Sequence, residues 1–73
     1  MGPEDDQFLL DTERNSPFVK QVFQNGTESM REGMIRDILY YKQRGISPEQ
    51  TAIELTRGNR EMYMALDAMP WNQ

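Results

Sequence analysis

Apolar side chains recur with a helical period along most of the chain, and nothing alternates with period two for long enough to make a strand. Phe18 with Val22 and Val19 with Phe23 are spaced four apart on one face, behind a Ser16-Pro17 start in which Ser accepts from an orphan N–H and Pro loses nothing by lacking its own. Asn25-Gly26 supplies a left-handed stop for this short helix. From about Thr27 to Arg44 runs the longest stripe, through Met30, Met34, Ile38 and Tyr41, with Ile35 and Leu39 widening it. Ser29 and Glu32 have capping-box spacing, Glu32 and Arg36 form a favourably oriented pair, and Gly45 ends the helix. Gly33 costs this helix about 1 kcal/mol relative to Ala, so it marks either a close-packing point or a harmless weakness. Ile46-Ser47-Pro48-Glu49-Gln50 is the clearest start signal: Ser47 caps, Pro48 opens the helix, Gln50 is the reciprocal partner and Glu49 suits the dipole. That helix runs through Ala52, Ile53 and Leu55 to Arg57 and stops at Gly58. Asn59 then caps a last one carrying Met62, Tyr63, Leu66 and Met69, which Pro70 ends.

The first 15 residues show no such period beyond the cluster Phe8, Leu9, Leu10. The organisation expected is a flexible acidic arm over residues 1–15 and a helical domain over 16–73. The fold class is all-α, a small domain of three to four helices whose C-terminal pair resembles a helix-turn-helix.

Charge sharpens this division. Glu4, Asp5, Asp6, Asp11 and Glu13 lie within the first 13 residues with no basic residue, whereas the remainder holds eight basic against seven acidic side chains. The net charge of -4 therefore belongs to the arm. At 73 residues, 37% hydrophobic, only a thin core can form. No stretch approaches the ~20 apolar residues of a membrane span, and acids stand where a signal peptide carries Lys or Arg, so a cytoplasmic protein is expected.

The sequence has neither Cys nor His. Thiol nucleophiles, imidazole bases, Ser-His triads and zinc-finger sites all need one or the other. Carboxylates and tyrosines remain, and a pair such as Glu28 and Glu32 on one helix face is ordinarily solvated charge. No catalytic, metal or cofactor site is expected, and the chain reads as a binder of another macromolecule.

Phe8, Leu9 and Leu10 read either as a docking segment flanked by carboxylates, or as part of a solubilising tail or a patch that folds back to cover the core. Tyr40 and Tyr41 are about 100° apart on their helix, so one of them faces outward. Tyr63, an out-of-step Met64 and Trp71 offer an adaptable aromatic surface, whereas Met30, Met34, Met62 and Met69 have core spacing. Arg57 and Arg60 flank the helix-turn-helix-like corner and support an alternative, a small DNA-binding regulator. Gly58 arrives about two positions late for that motif, and Glu61 and Asp67 beside Arg60 repel phosphate, so no direct nucleic-acid contact is expected.

With the acidic arm, the capped helices and the block from Gly45-Ile46-Ser47-Pro48-Glu49-Gln50 to Met69-Pro70-Trp71 in view, the chain resembles the small host-takeover transcription regulators of lytic Xanthomonas bacteriophages that bind host RNA polymerase. The likeness is one of length and character rather than of a signature motif. It implies attachment to the large polymerase subunits, suppressed host initiation, altered termination and no cofactor, and it assigns no contact residue.

Overall fold

The computed structural model describes residues 2–59, which form α1 (Pro3–Arg14), α2 (Pro17–Asn25), α3 (Glu28–Gln43) and α4 (Pro48–Gly58), with no strand among them. The all-α expectation holds. Every helix packs against the other three, α1 most extensively against α4. Phe18, Val19 and Val22 of α2, Met34 and Ile38 of α3, and Ala52 and Leu55 of α4 form the buried core. Phe8, Leu9, Phe23, Met30 and Tyr41 pack around it, partly buried.

Residues 3–14 correct the expectation of an aperiodic segment, because they are helical and packed on the core. The inward positions are Asp5, Phe8, Leu9 and Thr12, a spacing that belongs to one helix face. Two of those four are polar, which hides the period from a hydrophobicity reading. Both are satisfied in place. The Thr12 hydroxyl, fully buried, donates to the Phe8 carbonyl at 2.8 Å, and Asp5 accepts from Lys42 of α3 at 2.9 Å. Pro3 at the first position and Glu4, Asp5 and Asp6 in the first turn start the helix by backbone geometry and dipole, since Gly2 offers no side-chain cap.

Ser16 caps α2 as expected, accepting from the Val19 N–H at 3.1 Å. The hydroxyl is also hydrogen-bonded to that of Thr56, 2.8 Å away on α4. Gly26 is not left-handed: its φ is -76°, and it follows α2 in an extended conformation. Glycine is needed there for room, because a Cβ would stand 2.6 Å from the Val22 carbonyl oxygen. The extended exit places Thr27, rather than Ser29, at the cap of α3, where its hydroxyl accepts from the Met30 N–H at 3.2 Å. Arg31 then reaches back to the Gly26 carbonyl at 2.6 Å.

Gly45, with φ +78°, ends α3 as read from the sequence. The Ile46 N–H bonds to the Tyr41 carbonyl and the Gly45 N–H to the Lys42 carbonyl, the paired closure that a left-handed residue permits. Ser47 caps α4 by accepting from the Gln50 N–H at 3.1 Å. The reciprocal half of the expected capping box is not made, because the Gln50 amide donates instead to Glu54 at 2.9 Å. Helix α4 continues through Gly58, and Asn59 closes it, its backbone and side-chain N–H groups both bonding to the Leu55 carbonyl. The final helix expected after Asn59 lies outside the described residues, and with it the second half of the helix-turn-helix-like pair.

Gly33 is the weakness rather than the packing point. A Cβ there meets only an Arg36 guanidinium nitrogen at 3.8 Å. Gly33→Ala is therefore expected to stabilise the domain by about 1 kcal/mol, read as a higher urea midpoint at unchanged slope.

Candidate protein-binding surfaces

Among the described residues the large apolar side chains left exposed are Leu10 on α1, Tyr40 on α3 and Ile53 on α4, at 49%, 53% and 46%. They define three places where this small surface is unlike an ordinary solvated one. Phe8 and Leu9, grouped with Leu10 in the sequence, are divided from it by the helix: both turn inward onto the core. Covering the core thus accounts for two residues of the cluster, and only Leu10 remains available to a partner.

Leu10 sits in an outward stripe of α1 with Pro3, Asp6, Gln7 and Arg14, all exposed, and Glu4 lies exposed beside it. With Glu13, Arg14 and Lys20 it lines a shallow depression where α1 meets the start of α2. Asp11 accepts from Gln7 at 2.9 Å and lies 3.6 Å from Arg14, contacts at the surface that hold the side chains loosely. The result is one leucine in a charged rim of both signs, with Glu4, Asp6 and Glu13 on the acidic side and Arg14 and Lys20 on the basic side.

Asp5 faces the other way. Its contact with Lys42 ties the first turn of α1 to the last turn of α3, both side chains being about a third exposed. The hydrogen bond to Asp5 is the main cause that raises the Lys42 pKa above its ordinary value; desolvation opposes it, and the charges of Asp5 and Glu4 add to it. A Lys whose pKa is raised by folding stabilises the fold fully below its unfolded pKa, and the contribution is lost as pH rises through the folded value. Wild type is therefore expected to exceed Lys42→Met in urea stability at neutral pH, and the difference should shrink as pH rises through the raised Lys42 pKa.

Tyr40 and Tyr41 divide as expected. Tyr41 packs on the core while Tyr40 stands out, their rings edge to face at 5.9 Å and 72°. Arg44 holds the outer ring, with its guanidinium carbon 5.6 Å from the ring centre and a nitrogen donating to the Tyr40 hydroxyl at 3.1 Å. Ile35 and Leu39 do not widen the core stripe. They line an open groove on the outside of α3 with Glu32, Arg36, Tyr40 and Gln43. The pair expected between Glu32 and Arg36 is not formed, and among the described residues neither side chain has an ion-pair partner.

On α4 the inward positions are Thr51, Ala52 and Leu55, and Ile53 points to solvent. The Thr51 hydroxyl is buried without a hydrogen-bond partner. Arg57 is exposed in the last turn of α4, where it suits the negative end of the helix. Arg60, Tyr63, Met64 and Trp71 lie outside the described residues. Glu28 and Glu32 are both exposed. Among the described residues no group of three or more acidic side chains is placed to hold a metal ion, and no helix is long and apolar enough to cross a membrane.

Comparison with protein-family models, with curated proteins and with solved structures gave no match to this chain.

Proposed function

We propose that this chain is a protein-binding transcription regulator that attaches to the large subunits of a host bacterial RNA polymerase, as part of phage takeover, inhibiting initiation and altering termination. The observation that carries the reading is the outer stripe of α1, where half-exposed Leu10 lies in a charged rim of Glu4, Asp6 and Glu13 with Arg14 and Lys20. One apolar anchor within a charged rim is the arrangement that gives both a contact and electrostatic steering, and polymerase offers basic channels and exposed helical elements to it. The resemblance to phage regulators in length and character supports the same assignment. The mode of action is occupation of a surface in the host cytoplasm, with no cofactor and no turnover.

The test is capture of purified host polymerase by tagged wild-type chain, alongside Leu10→Lys and Asp6→Lys. Both positions are exposed, so the variants keep the fold. Wild type is expected to retain polymerase at micromolar concentration, and each variant to weaken capture at least about tenfold. Failure of wild type to bind at that concentration removes the reading.

A further inference from the structure

The outside of α3 carries a second apolar surface that neither the core nor the acidic stripe uses. Its groove is bounded by Glu32, Arg36 and Tyr40 on one side and by Ile35, Leu39 and Gln43 on the other. Successive residues turn 100° around a helix, so these six positions share one face, centred level with Asp37 and Ile38. Ile38 is fully buried in the core on the opposite side.

This face matches itself. Turned end to end about a two-fold axis at that level, α3 of one copy sets Ile35 against Leu39 of the other, Arg36 against Tyr40, and Glu32 against Gln43. Each contact then occurs twice, as a two-fold interface requires. The pairs are chemically complementary: aliphatic on aliphatic, guanidinium on an aromatic face, carboxylate with amide. Glu32 and Arg36 cancel in charge, so the face itself escapes the repulsion expected from a chain of net charge -4. Among the described residues Glu32, Arg36 and Gln43 have no side-chain hydrogen bond or ion pair to give up on association. Tyr40 is already positioned by Arg44 and Tyr41, which lowers the ordering cost of using it.

We infer that the outer face of α3 is a homodimer surface, occupied by α3 of a second copy in antiparallel orientation. One helix pair of this length buries on the order of 1,000 Å² over both copies, at the low end of specific interfaces, so the dimer is weak and transient. Such a particle displays the α1 stripe twice. The inference goes beyond the polymerase reading and is tested without polymerase, so either can fail alone.

Sedimentation equilibrium from about 10 micromolar to about 1 millimolar is expected to show a monomer–dimer equilibrium. Leu39→Glu places an uncompensated charge in the interface twice and should weaken it at least about 30-fold, with helical circular dichroism retained. Orientation is read independently by mixing Glu32→Cys chains with Gln43→Cys chains under mild oxidation, in a sequence otherwise free of cysteine. The antiparallel arrangement yields the mixed disulfide in excess over both homodisulfides. A strict monomer throughout the range, a dimer indifferent to Leu39→Glu, or a predominance of homodisulfides overturns the inference.

Discussion

Phe18→Ala is expected to remove most of the stability of this domain. Phe18 is fully buried and is the largest of the side chains so enclosed. Truncating a core phenylalanine costs about 3–5 kcal/mol, the lost transfer energy adding to the cavity left behind. A chain of this length has on the order of 4–11 kcal/mol in total. Thermal unfolding followed by circular dichroism should therefore show either a much lower midpoint or no cooperative transition at all. A loss below about 1 kcal/mol would contradict the placement of Phe18 at the centre of the core.

Removing residues 1–14 is expected to be as damaging, although the sequence presents them as part of a flexible acidic arm. The truncation strips Phe8 and Leu9 from the edge of the core, where their partial burial is worth less than the about 1.5–3 kcal/mol of a fully buried side chain, and deletes the Asp5 partner of Lys42. It also bares the face of α4 that α1 covers most extensively. The shortened chain should lose its cooperative urea transition. Retention of the wild-type midpoint would return the segment to the status of a tail. Loss of polymerase capture by this truncation would accordingly report unfolding, which is why single exposed substitutions on α1 test the contact instead.

The parts of the fold legible in the sequence were those written in local chemistry. Ser16-Pro17 and Ser47-Pro48 start helices because hydroxyl and ring act within one turn, and Gly45 ends α3 because only a residue without a side chain takes its positive φ cheaply. Helix α1 is not legible as a hydrophobic period because its inner face is half polar, satisfied by the Phe8 carbonyl one turn back and by Lys42, a partner 37 residues away. The Pro3-Glu4-Asp5-Asp6 run was the signal available, being a helix start by ring geometry and dipole. Ser29 lost the cap of α3 to Thr27 because the exit of α2 is fixed by the close approach of Gly26 to Val22.

The candidate surfaces were legible in part. Leu10 and Tyr40 were named from sequence, and both are exposed. Phe8 and Leu9 could not be separated from Leu10 without knowing that the segment is a helix and which side the core lies on. In the sequence Ile35 and Leu39 read as widening the core stripe of α3, because hydrophobicity marks a face but does not say which apolar face is covered. That information resides in the packing of α1, α2 and α4 around Ile38 and Leu55.

The hydroxyl contact between Ser16 and Thr56 bridges residues 40 apart, and the first and fourth helices are the most extensively packed pair. Contacts between α1 and α4 therefore join the early and late segments of the described chain, and they carry the loop-closure cost of bringing those segments together. On a translating ribosome the face of α1 that α4 covers stays bare until α4 has cleared the exit tunnel.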